Sequence, residues 1–191
     1  ALSGLPISYK LIKNELQKPK PHSIDADLIV CNPYAYAPFE SSFRGHFDEK
    51  IFFTCLQHLR KDRGRIGYVV SAEFLKSSKS NISNDMNKLR LVKEGWLEAV
   101  IELPKELYAG TVYPAGALLL LRSPDSKERQ IGSHLPGSKV RGKNILFMKF
   151  EMNEGRQDAL EEITRISNVY RNFQPDTDSE HLISVEEIEE N

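Results

Sequence analysis

The sequence feature that most constrains the fold is a short apolar segment that stops at a proline. Leu28–Cys31 (Leu-Ile-Val-Cys) is typical of a buried strand, and Asn32-Pro33 follows it directly. Pro33 has no N–H to donate to a sheet and its φ is fixed, so the chain must leave the sheet there. The segment therefore predicts a buried strand, able to lie at the centre of a sheet, with Asn32 at its carboxyl end. In open α/β sheets this edge is where ligands bind.

The residues that follow predict a βαβ unit. Apolar residues recur at helical spacing from Phe47 to Leu59, and Lys61–Gly64 supplies the charge and glycine that end a helix. Arg65–Ser71 is a short apolar run typical of a strand. A strand, a helix and a strand in this order favour an α/β fold with Asn32 at the first crossover. Further elements are predicted as a helix at Met86–Leu91, strands at Trp96–Leu103, Ala115–Leu121 and Asn144–Met148, and a helix with an apolar packing stripe formed by Leu160, Ile163, Ile166, Val169, Tyr170 and Phe173.

The Asn32-Pro33 turn can bind an amino group. The Asn32 side-chain oxygen and a neighbouring non-helical carbonyl are two acceptors that can converge on one NH₂ group, and a neighbouring aromatic can stack on a planar ring. Asn32-Pro33-Tyr34 resembles the Asn-Pro-Pro-aromatic motif of amino-group methyltransferases that use S-adenosylmethionine. In that motif a second proline precedes the aromatic, whereas here Tyr34 stands in its place and Ala35 follows. Either Tyr34 or Tyr36 is then the stacking residue, or the site is degenerate.

A second segment carries a more specific resemblance. From Gly95 to Leu121 the chain is similar to the modification subunit of type I restriction–modification systems, in which a Leu-Glu-Ala-Val-Ile, Leu-Pro strand precedes an aromatic-x-Gly-Thr loop and an apolar strand. The similarity extends over about residues 24–191. The residues that carry it are Gly95, Leu97–Ile101, Leu103-Pro104, Leu107-Tyr108, Gly110-Thr111, Pro114, Asn144–Met148, Val169–Phe173 and Ile183–Asn191.

This resemblance implies a fold and a division of the chain. The fold is α/β, a Rossmann-like S-adenosylmethionine-dependent methyltransferase sheet represented by its later strands, with a C-terminal helical extension. Residues 1–23 form a poorly matched linker segment, 24–150 the later half of the catalytic domain, and 151–191 the extension. Gly4 is the only glycine before Asn32, whereas a cofactor-binding turn needs several. We therefore expect a fragment with an incomplete cofactor site, whose cofactor-binding residues cannot be assigned, and which is inactive when isolated.

The resemblance also implies a reaction, the methylation of adenine N6 in DNA. Asn32, Pro33 and Tyr34 would be the catalytic residues, with Tyr36 as the alternative stacking residue. The implied partners are DNA, the specificity subunit and the restriction subunit. Two other hypotheses stay open: a degenerate methyltransferase domain with a binding or assembly role, motivated by Tyr34-Ala35, and a methyltransferase that acts on amino groups of glutamine or RNA.

Composition and charge limit the remaining classes of function and location. The net charge of −1 gives no overall attraction to DNA, so contact would need local basic patches, for which ordinary solvated helix ends and loops are the preferred interpretation. The five histidines are scattered, so no metal site is predicted. Cys31 and Cys55 predict two reduced, buried thiols, and without a membrane-spanning run or signal peptide we expect a cytoplasmic protein. The basic patches are Arg60-Lys61 with Arg63 and Arg65, and Lys76, Lys79, Lys88, Arg90 and Lys93.

Overall fold

The computed structural model describes residues 25–32, 44–71, 75, 88–104, 116–125, 144–151 and 156–190. Within these ranges the chain forms six strands and four helices. The strands are β1 Leu28–Cys31, β2 Arg65–Ser71, β3 Leu97–Glu102, β4 Gly116–Arg122, β5 Asn144–Lys149 and β6 His181–Ser184. The helices are α1 Arg44–Gln57, α2 Lys88–Lys93, α3 Arg156–Asn172 and α4 Val185–Glu190.

The six strands form one mixed sheet in the order β1-β2-β4-β3-β5-β6. β1 is parallel to β2 and β3 is parallel to β5, whereas β4 runs antiparallel to both β2 and β3, and β6 antiparallel to β5. Four strands, β1, β2, β3 and β5, therefore run in the same direction. Their carboxyl ends meet at one edge of the sheet, which confirms the predicted α/β class and the βαβ unit.

Helix α1 covers one face of the sheet. Its Phe52 is fully buried and meets Tyr68 of β2 edge to face, with ring centroids 5.0 Å apart. Burying an aromatic pair of this kind is among the larger single contributions to a core. The buried residues of this cluster are Ile51, Phe52, Cys55, Leu56, Leu59, Ile66, Tyr68, Val70, Leu91, Ala117, Leu119 and Leu121.

Helix α3 covers the opposite face over β3 and β5. Its Ile166, Val169 and Phe173 pack with residues of the two strands, and Leu118 and Leu120 of β4 adjoin the cluster. The predicted stripe on this helix is wrong at two positions, because Leu160 and Ile163 are 61% and 50% exposed. These two residues precede the part of the helix that rests on the sheet.

Two glycines allow the tight connections that lead into β2 and β3. Gly64 precedes β2, where an added Cβ would lie 2.3 Å from the Arg60 carbonyl oxygen, so no larger residue fits without a shift. Gly95 has φ 71° and ends α2. Its N–H donates to Val92 O and the N–H of Trp96 donates to Leu91 O, which is the pairing of a Schellman cap. Glycine adopts this left-handed conformation without strain, so the chain turns directly into β3.

A buried ion pair joins the middle of the sheet to α3. Arg122 Nε of β4 lies 2.9 Å from Glu98 Oε1 of β3, and the two side chains are only 8% and 1% exposed. The Tyr170 hydroxyl of α3 donates to the second oxygen of Glu98. Charged groups are buried only when paired and hydrogen-bonded, so three elements are fixed to one another here.

The structure corrects two features of the sequence analysis. β1 is not a buried central strand, because it lies at the end of the described sheet and Leu28 and Val30 are 64% and 78% exposed. Only its other face, Ile29 and Cys31, packs against the α1 cluster. The C-terminal region is largely helical, as expected, but it also contains β6, an unpredicted strand that pairs with β5.

Candidate active site

Asn32 lies at the carboxyl edge of the sheet, as the sequence predicts. It follows the last residue of β1, and Cys31 is the register partner of Tyr68, so Asn32 stands beside the final residues of β2. Its side chain is half-buried. The ends of β2, β3 and β5, at Ser71, Glu102 and Lys149, form the same edge. The amide is therefore held where α/β sheets bind ligands.

The position of Asn32 is fixed by contacts at both ends of β1. At its start, the N–H of Ala26 donates to His58 O at 2.9 Å, and the N–H of Arg60 donates back to Ala26 O at 3.0 Å. At its end, Cys31 packs against the α1 cluster beside Cys55. Both cysteines are free thiols. A hydrogen bond with Cys31, together with burial, raises the pKa of Cys55, so its thiol stays protonated.

Three of the predicted site residues, Pro33, Tyr34 and Tyr36, lie outside the described residues. The second acceptor and the stacking face therefore remain predictions. Within the described ranges, no group of three or more His, Cys, Asp or Glu side chains has a geometry suited to a metal ion.

In the basic patch around Arg60, two arginines, Arg60 and Arg63, form ion pairs with aspartates of this chain. Arg63 Nε lies 2.7 Å and Arg60 Nη1 3.4 Å from Asp27 Oδ1, and Arg60 Nε lies 3.1 Å from Asp62 Oδ1. The hydrogen bond from Arg63 is the largest of the effects that lower the pKa of Asp27. These residues lie at the amino end of β1, on the opposite edge from Asn32, which favours the interpretation of ordinary solvated charge over a DNA contact.

The described residues at the Asn32 edge do not provide what a nucleoside cofactor requires. An amide at a strand end offers an oxygen to an N–H donor, whereas S-adenosylmethionine requires a tight glycine turn that lets backbone approach closely. Gly64 and Gly95 precede strands and lie at the opposite edge. In the part of the chain that the structure describes, no strand at the Asn32 edge continues into a glycine-rich turn.

The sequence analysis missed the buried Glu98–Arg122 pair. A signal was present, since Glu98 is the only charged residue within the apolar run Leu97–Ile101. A charge in such a position is retained only when a partner neutralises it. The pair lies away from Asn32 and fixes the sheet rather than the site.

Comparison with solved structures defines the class of fold. The chain is similar to the methyltransferase subunit of a type I restriction–modification system from Streptococcus thermophilus (TM-score 0.64, 20% identity, 93% of this chain and 39% of that one). It is also similar to a modification subunit of a putative type I restriction enzyme from Vibrio vulnificus (TM-score 0.58, 19% identity, 92% and 38%). A third structure, from a study of type I R-M complex assembly, has a TM-score of 0.53 at 17% identity and covers 88% and 36%. At these identities the likeness concerns the fold.

The family follows from the sequence. Residues 7–191 match the model of the N-6 DNA methylase family, and the chain belongs to that family. The match begins well before residue 24, where the sequence resemblance started. Curated proteins give no match. The chain spans less than two fifths of the similar solved structures. No helix in the described ranges is both long and apolar enough to cross a membrane.

Proposed function

We propose that this chain forms the acceptor side of a methyltransferase that modifies N6 of adenine in DNA, as part of a type I restriction–modification system. The observation that carries the proposal is the position of Asn32, half-buried at the carboxyl edge of the sheet directly before Pro33. Membership of the N-6 DNA methylase family supports DNA adenine over the amino groups of glutamine or RNA. We also propose that its partners are DNA, the specificity subunit and the restriction subunit. The proposed location is the cytoplasm.

The task of the site is to make a poor nucleophile reactive. The lone pair of the adenine amino nitrogen is delocalised into the ring. The Asn32 side-chain oxygen and the Pro33 carbonyl would accept one hydrogen bond each from the two N–H groups. This draws the nitrogen toward tetrahedral geometry and concentrates the lone pair on one side. No strong base is required for this step.

The adenine must leave the duplex to reach Asn32. Extrusion of a base costs roughly a few kcal/mol, and stacking on an aromatic ring recovers part of that cost. Tyr34 is the first candidate for the stacking face and Tyr36 the second. We assign sequence recognition to the specificity subunit, in line with the resemblance to type I systems. The chain's net charge of −1 provides no general attraction to DNA.

S-adenosylmethionine, when bound, supplies an electrophilic methyl group on sulfur. The described residues do not fit this donor, so we assign to this chain only the binding and orientation of the acceptor. Rate depends on the alignment of donor and acceptor, and misplacement by about 1 Å can cost about a hundredfold. The isolated chain should therefore show almost no turnover.

The test is transfer of labelled methyl groups to DNA by the complete gene product with its specificity partner. Label on adenine N6 that disappears in Asn32→Ala, with binding of S-adenosylmethionine retained, supports the proposal. Gly67→Ala is the matched control, because this position on the neighbouring strand β2 has ordinary space for a Cβ. Methylation that is unchanged in Asn32→Ala contradicts the catalytic role of Asn32. No label in the wild type, with S-adenosylmethionine still bound, favours a degenerate domain with an assembly role.

A further inference from the structure

Two cysteines meet between β1 and α1. Cys31, the last residue of β1, packs against the buried cluster that contains Cys55 of α1. A hydrogen bond links their side chains, so the two sulfur atoms are in contact. Both are free thiols, and they are the only cysteines among the 191 residues. The chain therefore carries two thiols placed to react with each other.

The packing of α1 on the sheet accounts for this contact. Cys31 is the register partner of Tyr68 on the neighbouring strand, and both side chains belong to the face that α1 covers. Phe52 of α1 lies on Tyr68, with ring centroids 5.0 Å apart. Cys55 follows Phe52 by three residues, which places the two on the same side of the helix. The helix and the strand thus carry the thiols on the two surfaces that pack together.

The two thiols differ in exposure and in protonation. Cys31 is half-buried, whereas Cys55 is only 6% exposed. The hydrogen bond with Cys31, together with burial, raises the pKa of Cys55, so this thiol stays protonated. Oxidation of a cysteine requires access to solvent, and a second thiol beside it can resolve the first product to a disulfide. Cys31 is therefore the sulfur that an oxidant reaches, and Cys55 is the resolving thiol.

Cys31 also adjoins the candidate active site, because it directly precedes Asn32. The amino end of β1 is tied to the end of α1 by the two backbone hydrogen bonds of Ala26. A covalent bond to Cys55 would draw the carboxyl end of β1 toward α1 while the amino end stays in place, and Asn32 would move with it. Because misplacement by about 1 Å can lower a rate about a hundredfold, oxidation of the thiols would act on the reaction through Asn32.

We propose that Cys31 and Cys55 form an oxidation site that hydrogen peroxide converts to a disulfide, and that this bond displaces Asn32 and stops methyl transfer. The link to methyl transfer rests on the proposed function, which assigns Asn32 to the acceptor. The Cys31 sulfur attacks one oxygen of the peroxide, which gives a sulfenic acid and one water. The Cys55 sulfur then displaces the hydroxyl group of the sulfenic acid, and the Cys55 proton leaves with that group as a second water. The pair loses two electrons and two protons, and an external thiol restores them by exchange.

The first experiment treats the folded, complete gene product with hydrogen peroxide and maps its cysteine peptides by mass spectrometry. The expected product is a peptide pair that joins Cys31 to Cys55 and separates again in dithiothreitol. Dimedone, which traps sulfenic acid, should label Cys31 in Cys55→Ala and leave Cys55 unlabelled in Cys31→Ala. Unjoined cysteines in the oxidised wild type would overturn the proposal, and so would dimedone on Cys55. The wild-type map decides the outcome even where a variant fails to fold.

The second experiment measures methyl transfer by each protein after peroxide, relative to the same protein before peroxide. Wild-type transfer should fall about tenfold or more, because Asn32 is displaced, and should return in dithiothreitol. Cys31→Ala is the control, since it cannot form the bond, and its transfer should change by less than about twofold. A wild type that forms the disulfide without losing transfer would overturn the proposal. An equal loss in Cys31→Ala would do the same.

These readouts separate the oxidation site from the proposed function. A complete product that transfers no methyl group in its reduced state would contradict the proposed function. The peptide map would still decide whether Cys31 and Cys55 join. Amide hydrogen exchange of residues 29–31 should still differ between the reduced and oxidised states, because the end of β1 moves. Identical exchange in both states would overturn the displacement of Asn32.

Discussion

The Glu98–Arg122 pair should be the most mutation-sensitive polar contact in this fold. The two side chains are 1% and 8% exposed and 2.9 Å apart. Arg122→Met removes the positive charge beside the buried Glu98 carboxylate, and Glu98→Gln removes the negative charge beside the buried Arg122 guanidinium. Removing one partner of a buried pair costs about 3–5 kcal/mol. For a chain of this size that corresponds to a drop in melting temperature of roughly 6–20 °C.

The decisive comparison is with the double variant Glu98→Leu/Arg122→Met. Replacing both charges with apolar groups of similar volume is often neutral, so the double variant should be more stable than either single variant. Urea unfolding of the wild type, Glu98→Leu, Arg122→Met and the double variant gives the coupling energy directly. Arg63→Met, in an exposed pair with Asp27, is the control and should change little. Single variants that each cost less than about 1 kcal/mol would refute a desolvated pair.

Three further predictions concern other contacts. Gly64→Ala should destabilise the fold by about 1–3 kcal/mol by denaturant unfolding, whereas Gly67→Ala, with its nearest side-chain atom 3.8 Å from an added Cβ, should not. Gly95→Ala should cost about 1–2 kcal/mol, because φ 71° suits only glycine without strain, and an unchanged midpoint would argue against the Schellman cap. The Arg165 guanidinium lowers the pKa of Glu162 below its ordinary value of 4.5, so the stability from this pair is complete above that pH and is lost as pH falls through the folded-state pKa. Acid titration of Glu162→Gln should show a shallower loss of stability than the wild type, and identical titrations would contradict the contribution of the pair.

Local signals were sufficient for most of the fold. The strand Arg65–Ser71 was predicted with the bounds the structure has, because the apolar run begins directly after Gly64. Helix α1 followed from the spacing of its buried residues, and Asn32 from the proline that ends β1. These features depend on residues close together in sequence, which is why a sequence pattern can contain them.

The wrong and missing predictions depend on contacts between distant parts of the chain, which a local sequence pattern does not contain. Leu28 and Val30 are apolar, yet they are exposed, because no described helix packs on their face of β1. β6 pairs with β5 from 32 residues further on, between Asn144–Phe147 and His181–Ser184, and His-Leu-Ile-Ser has no strong strand pattern. For the site, the sequence pattern placed one side chain, the amide of Asn32. It did not identify the residues that would bind the methyl donor.

The measurement that tests the central claim most directly is methyl transfer to DNA by the complete gene product, with and without Asn32→Ala. The account predicts label on adenine N6 in the wild type and its loss in the variant, while S-adenosylmethionine still binds. Equal label in both proteins would contradict the assignment of Asn32 as the residue that holds the adenine amino group.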